Sequence, residues 1–127
     1  VCDVDEAKAT ETANKFSIEQ TCKDYREMLE DEEIDVIDIC TPPFLHVPII
    51  KDALQANKHV ICEKPLTGYF GRPADPQPIG KKVPKALMYE RVLEEIEELK
   101  AVSREATGCL CTPKITYMPR RCRRQQR

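Results

Sequence analysis

The sequence predicts an α/β fold: a partial doubly wound parallel sheet, incomplete at both ends. Isoleucine- and valine-rich segments over 34–39 and 59–62 predict two neighbouring strands. The amphipathic segment 46–57 between them predicts the helix that connects parallel strands. Because ligands of such sheets bind at the carboxyl ends of the strands, the polar residues that follow each strand are the candidates for function.

Two helices are predicted before the first of these strands. Segment 5–16 has apolar residues at helical spacing as far as Phe16, and Asp5 is placed to cap its first turn. Segment 24–30 predicts a short amphipathic helix, and the acidic run 30–33 predicts a solvated turn. Residues 1–5 resemble the end of a further strand.

The second half of the chain is predicted to hold a loop, a helix and a tail. Glycine and proline recur through 68–84, which predicts a loop without regular structure that acts as a lid or a subunit contact. Segment 85–106 has apolar residues at spacings of three and four and glutamates on its other faces, which predicts a long helix. Residues 109–127 form a tail that ends in a run of arginines.

Composition narrows the class of protein. The apolar runs are too short to span a bilayer, and the N-terminus shows no secretory leader. The seven cysteines include four in or between predicted elements, which we expect to be free thiols of a cytoplasmic protein: Cys2, Cys22, Cys40 and Cys62. The spacing of cysteines and histidines matches no zinc motif, so no metal site is expected.

The formal net charge of −2 hides an uneven distribution. Five arginines lie within 120–127, and subtracting them from −2 leaves −7 for the remainder. An acidic body repels a phosphate backbone, so nucleic-acid binding would depend on the tail alone and is not expected.

Two motifs follow the predicted strands at their carboxyl ends. Thr41-Pro42-Pro43, with His46 just beyond, closes the first, and Glu63-Lys64-Pro65 closes the second. With their spacing, and with Asp3, Ala53-Leu54 and His59-Val60, these motifs resemble the nicotinamide-dependent oxidoreductases of the glucose–fructose oxidoreductase, inositol dehydrogenase and MocA (Gfo/Idh/MocA) family. The resemblance extends from about residue 1 to about residue 108.

The resemblance implies a Rossmann-like dinucleotide-binding domain over 1–108, which includes the loop 68–84 and the helix 85–106. It also implies an enzyme that moves a hydride between a nicotinamide and a sugar, polyol or related alcohol, in an intact protein that is a homo-oligomer. Asp3 would accept hydrogen bonds from the adenine ribose hydroxyls. A carboxylate there repels a 2′-phosphate, which favours NAD over NADP. The alternative for Asp3 is that it caps the next helix.

The family pattern also implies roles for the two motifs. Lys64 would be the catalytic residue, because a partly desolvated ammonium donates hydrogen bonds and exchanges protons readily. Glu63 would orient the strand end or contact the cofactor ribose, and Pro65 would fix the turn. Thr41, Pro42 and Pro43 would form the cofactor-facing loop. His46 would anchor that loop; a proton-carrying role is the alternative.

Two features of the family pattern are missing from this sequence. The four glycines form no G-x-G-x-x-G phosphate-binding turn, and the sequence begins at what resembles the end of the family's second strand. After Gly108 the family's next strand is not evident.

This strand appears, however, in a shifted reading frame. Codons allowed for 111–119 then spell Tyr-Ala-Glu-Asn-Tyr-Val-(Tyr or His)-Ala-Pro, as the family would have. A frameshift is therefore predicted; a CCT codon at Pro113 would contradict it.

We therefore expect a fragment of a dehydrogenase that is inactive alone, because the family's downstream catalytic pair is also not evident in this sequence. The alternative function is a noncatalytic interaction module that uses the Gly/Pro-rich loop or the basic tail.

Overall fold

The computed structural model describes residues 1–112 and divides the chain into two compact units, Val1–Asp35 and a second that begins at Val36. The first unit contains helices α1 (Glu6–Phe16) and α2 (Tyr25–Glu30). Near the chain start, Cys2 and Cys22 face each other in a single parallel bridge. Most of the predicted tail, residues 113–127, lies outside the described residues.

Helix α1 begins where its sequence predicts. The Asp5 side chain accepts hydrogen bonds from the backbone amides of Ala7 and Lys8, which otherwise would lack partners in the first turn. Ala9 and Ala13 are buried, whereas Phe16, the last helical residue, is 63% exposed. The apolar stripe of α1 is therefore shorter than its sequence pattern.

The second unit is built on a three-stranded parallel sheet, which confirms the predicted fold class. Its strands are β1 (Val36–Ile39), β2 (His59–Cys62) and β3 (Leu110–Cys111), in the order β1-β2-β3. The first strand is two residues shorter at its start than the predicted 34–39. Side chains alternate along β1 and β2, with one face buried and the other facing outward.

Helix α3 (His46–Gln55) crosses from β1 to β2 and supplies more buried apolar residues than any other described element. Ile50, Ala53 and Leu54 are each fully buried. A buried isoleucine or leucine contributes about 1.5–3 kcal/mol relative to an exposed one, so this helix anchors the sheet. Asn57 follows the helix in a left-handed conformation, with φ at 59°, and turns the chain into β2.

The Gly/Pro-rich segment was predicted to have no regular structure. It contains a one-turn helix, α4 (Ile79–Lys82). Pro78 begins this turn with backbone dihedrals that suit a helix start. The long helix α5 (Lys85–Glu105) follows and agrees closely with the predicted 85–106. It packs on α3, where Lys51 and Glu98 form an ion pair of 2.5 Å, and Leu99 is its one buried residue.

A further difference from the sequence expectation is that the chain does enter a strand after Gly108. The amide of Val60 donates to the carbonyl of Cys109 at 2.8 Å, and β3 pairs with β2 in parallel register. The side chain of Asn57 accepts from the hydroxyl of Thr107 at 2.9 Å, which holds the entry to β3 against the α3–β2 turn. In residues 1–112, no helix combines the length and apolarity that crossing a membrane requires.

Candidate active site

The two motifs lie at one edge of the sheet because their strands are parallel and in register. Ile39 is paired with Cys62, and the amide of Glu63 donates to the carbonyl of Ile39 at 3.1 Å. The chain therefore leaves β1 into Thr41 and β2 into Lys64 at the same carboxyl edge, the edge where ligands of parallel sheets bind.

His46 connects the two motifs directly. It is 1% exposed; its Nδ1 lies 2.9 Å from the carbonyl oxygen of Pro65, and its Nε2 lies 2.8 Å from the carbonyl oxygen of Thr41. A neutral imidazole has one N–H and donates to one carbonyl at a time, whereas a protonated ring donates to both. In either form the ring links the loop 41–43 to the Glu63-Lys64-Pro65 turn.

Thr41 places an unsatisfied polar atom at this edge. Its hydroxyl oxygen is buried and has no hydrogen-bond partner among the described residues. A buried hydroxyl without a partner costs about 1–3 kcal/mol, so such an atom is stabilised when a ligand supplies the missing bond. Of the residues that follow, Pro42 is exposed and Pro43 begins a short 3-10 turn, Pro43–Leu45.

Lys64 differs in its surroundings from the sequence expectation. Its side chain is 60% exposed, so the partial desolvation expected of a catalytic lysine is not present in this chain. Its ammonium lies 3.8 Å from the carboxylate of Glu63, and its backbone amide donates to the same carboxylate at 3.3 Å. Both contacts of this carboxylate are therefore with the adjacent Lys64. The Lys64–Pro65 peptide bond is cis.

Acidic groups dominate the electrostatics of this edge. Burial, together with the carboxylates of Asp38 and Glu63, raises the pKa of the Cys40 thiol. Burial first, and then Glu63 and Asp38, raise the pKa of Cys62 to about 11. Both cysteines therefore remain neutral thiols near pH 7 and are poor nucleophiles. The ammonium of Lys64 is the cation of the Glu63-Lys64-Pro65 motif.

Asp3 belongs to the first unit. One carboxylate oxygen accepts from the amide of Asp5 at 2.9 Å. The cap of α1 is Asp5, so the alternative that Asp3 caps this helix is wrong. The second carboxylate oxygen of Asp3 has no hydrogen bond within the described part of the chain, which leaves it available to a ligand.

Sequence reasoning missed a cavity of about 580 Å³ beside the loop 41–43. Phe44 and Phe70 form one wall, with their ring centroids 6.4 Å apart and their planes at 66°. Arg91 and Glu94 of α5, which are 2.8 Å apart, line another part. In the sequence, the available indication of this cavity was that Phe44 directly follows Pro43. The contact between Phe44 and Phe70 could not be predicted, because the two residues lie far apart in the chain.

Hydrogen bonds within the loop that carries Phe70, and from this segment to α5, hold it in place. The hydroxyl of Tyr69 donates to the carboxylate of Asp75, which raises the pKa of the tyrosine and lowers that of the aspartate. The hydroxyl of Thr67 donates to Glu95 of α5. Across residues 1–112, no three side chains of histidine, cysteine, aspartate or glutamate are grouped as metal ligands.

Comparison with known proteins identifies the family. Residues 1–86 match the model of the Gfo/Idh/MocA oxidoreductase family, described as having an NAD-binding Rossmann fold. The chain belongs to this family. Its fold and the motifs at the sheet edge agree with that membership.

Individual relatives are dehydrogenases of sugars and polyols. A levoglucosan dehydrogenase from Pseudarthrobacter phenanthrenivorans is 47% identical over 58 residues, which are 46% of this chain and 15% of the relative. A myo-inositol 2-dehydrogenase from Thermotoga maritima is 34% identical over 67 residues, 53% of this chain and 20% of the relative. Among solved structures, levoglucosan dehydrogenase in complex with NADH and levoglucosan superposes with a TM-score of 0.63 and 26% identity, covering 87% of this chain and 24% of that one. The chain thus spans about a fifth or less of the curated relatives' length.

Proposed function

We propose that residues 1–108 are part of the dinucleotide-binding domain of an NAD(P)-dependent dehydrogenase that acts on a sugar, polyol or related alcohol. The observation that carries the proposal is the buried hydroxyl of Thr41, which has no hydrogen-bond partner among residues 1–112. The backbone carbonyl of the same residue is linked through His46 to the Glu63-Lys64-Pro65 turn. In this proposal residues 109–127 do not belong to the family's domain, although Leu110–Cys111 pair with β2. The intact enzyme is a cytoplasmic homo-oligomer.

The residues at the sheet edge fit a nicotinamide dinucleotide. The hydroxyl of Thr41 donates to or accepts from the bound cofactor, and Pro42 and Pro43 present an apolar surface to it. Glu63 accepts from a ribose hydroxyl or holds the strand end. Asp3 accepts from the adenine ribose with its free carboxylate oxygen, and its negative charge favours NAD over NADP. When bound, the nicotinamide supplies the hydride acceptor or donor.

Lys64 is the residue we assign to catalysis. Its ammonium donates a hydrogen bond to the substrate oxygen and polarises the group that gains or loses a proton. Since the side chain is 60% exposed here, substrate and the remainder of the enzyme must exclude the water that surrounds it. His46 does not touch the reacting atoms; it positions the two loops that do.

This chain alone is not expected to turn over substrate, because the pyrophosphate-binding turn and the family's downstream catalytic pair are not in the sequence. A chimera tests the proposal. Residues 1–108 replace the matching segment of the related levoglucosan dehydrogenase, and NADH binding is followed by fluorescence. Binding is expected, and in a Lys64→Met chimera we expect binding to persist while turnover falls at least about a hundredfold.

A second variant of the chimera is Thr41→Val, which keeps the shape of Thr41 and removes its hydroxyl. We expect it to weaken NADH binding about fivefold to tenfold. A folded chimera that binds neither NADH nor NADPH would contradict the assignment of these residues to a nicotinamide site.

A further inference from the structure

Two cysteines of the first unit lie opposite each other on adjacent backbone segments. The amide of Asp3 donates to the carbonyl of Cys22 at 3.2 Å, and the amide of Cys22 donates to the carbonyl of Val1 at 3.0 Å. These bonds make Cys2 and Cys22 direct neighbours in a parallel bridge. Both are free thiols and half-buried.

The geometry of the bridge suits a disulfide. Neighbouring strands lie about 4.8 Å apart, and disulfides join residues whose Cα atoms are about 4.4–6.8 Å apart. The two side chains also lie on the same side of the bridge, because residues paired directly across a bridge point to the same face. Little backbone movement therefore separates the dithiol from a disulfide.

We propose that Cys2 and Cys22 form a dithiol site that small-molecule disulfides of the glutathione class oxidise reversibly to an internal disulfide. The site is independent of the proposed enzymatic function. The disulfide would close covalently the loop that carries Asp3 and helix α1.

The reaction proceeds in two exchange steps. The Cys22 thiolate attacks one sulfur of oxidised glutathione; a Cys22–glutathione bond forms, and the first glutathione thiolate leaves and takes up a proton. Cys2 then gives its proton to solvent and attacks the Cys22 sulfur, which expels the second glutathione. Two protein thiols are oxidised, and one oxidised glutathione is reduced to two thiols.

The order of the steps follows from the environment of Cys2. Burial, and then the hydrogen bond and charge of Cys22, raise the pKa of Cys2 to about 12. Cys2 is therefore almost entirely a neutral thiol near pH 7 and a poor first nucleophile. Its role is the resolving thiol, which acts once the mixed disulfide has formed next to it.

The test is peptide mapping of the purified chain under non-reducing conditions after treatment with oxidised glutathione. We expect a Cys2–Cys22 crosslink that dithiothreitol removes, at a yield at least about tenfold higher in buffer than in concentrated urea, because only the folded bridge holds the thiols together. The crosslink should be absent from Cys2→Ser, in which a Cys22–glutathione adduct should accumulate instead. It should be unchanged in the control Cys40→Ser, which removes an exposed thiol elsewhere.

The wild-type chain keeps the test decisive even if a variant folds poorly. Equal yields in buffer and urea would overturn the proposal, because proximity in the fold would then not be the cause. It would also be overturned by a Cys22–glutathione adduct that persists in the wild-type chain without closing, or by thiols at Cys2 and Cys22 that remain unmodified.

Discussion

His46 shows, at the scale of single residues, how one buried side chain holds a site together. Its ring contacts the carbonyls of Thr41 and Pro65, which lie 24 residues apart in sequence on loops after different strands. We predict that His46→Ala lowers the free energy of unfolding by about 2–4 kcal/mol, because it removes the donor that the ring supplies to these carbonyls and opens a cavity. Urea denaturation measures the change.

The conservative control at this position is His46→Gln, whose amide can still donate to one of the carbonyls. We expect it to retain about half of the stability that His46→Ala loses. A His46→Ala chain within about 0.5 kcal/mol of the wild type would show that the ring does not stabilise the loops.

Gly108 is constrained by a close backbone approach. A Cβ atom built at this position would lie 2.1 Å from the carbonyl oxygen of Lys58, a contact that no side-chain movement relieves. We predict that Gly108→Ala destabilises the chain by about 3 kcal/mol, since β3 or the α3–β2 turn must shift. Urea denaturation is again the measurement.

The matched control for Gly108 is Gly80→Ala. Gly80 lies in α4, and within residues 1–112 no atom outside its own helical turn lies within 4 Å of a Cβ built there. This substitution should leave stability unchanged or raise it by about 0.5–1 kcal/mol, because alanine favours a helix. Equal losses at the two positions would contradict the backbone-contact argument.

Helix α1 depends, at the scale of elements, on the single side chain that caps it. Asp5 accepts from two amides of the first turn. We predict that Asp5→Ala lowers the free energy of unfolding by about 1 kcal/mol, whereas Asp5→Asn, which can still cap, loses less than half of that. Equal effects of the two substitutions would mean that the charge of Asp5, and not its hydrogen bonds, stabilises the helix.

Helix α2 has a capping box whose strength depends on pH. Asp24 accepts from the amide of Arg26, and this bond lowers the pKa of Asp24 below its usual 3.8. Because the folded-state pKa is the lower one, Asp24 contributes stability above the unfolded-state pKa near 3.8 and loses it as the pH falls through the folded value. We predict that Asp24→Asn reduces the acid sensitivity of the urea midpoint between pH 5 and about 3. An unchanged acid profile would contradict this role.

The local sequence pattern was sufficient to predict some helices and strands and not others. The sequence predicted β2, α3 and α5 closely, because their apolar spacing and flanking residues agree with their packing. It did not predict α4, since glycine and proline disfavour helices locally, and it did not predict β3. The pairing of β3 depends on its contacts with β2, which lies about fifty residues earlier, and no local pattern reports such contacts.

The candidate site shows the same division. Lys64, Glu63 and Thr41 could be found from motifs that end strands, and parallel register places them at one edge. The contact of His46 with Pro65, the missing partner of the Thr41 hydroxyl and the Phe44–Phe70 wall all depend on distances across the fold. The exposure of Lys64 could not be predicted from its motif either, because it depends on what covers the sheet edge.

The sheet of the second unit has one face and one edge that residues 36–112 do not fully cover. The outward face of β1 and β2 includes Val36, which is 45% exposed, and Ile61, which is 38% exposed. Strand β1 is also at the end of the strand order. Parallel sheets ordinarily have both faces covered, and uncovered edges pair with other chains.

We therefore predict that the isolated chain is marginally stable and associates, so that its thermal transition shifts with protein concentration. Val36→Lys places a charge on the exposed edge strand and should reduce association several-fold in sedimentation measurements, with little change in monomer stability. The neighbouring Ile37, at 4% exposed, is the control: Ile37→Lys buries a charge and should unfold the chain. A wild-type chain with a sharp, concentration-independent transition would contradict the prediction, because the uncovered strand would then create no tendency to pair.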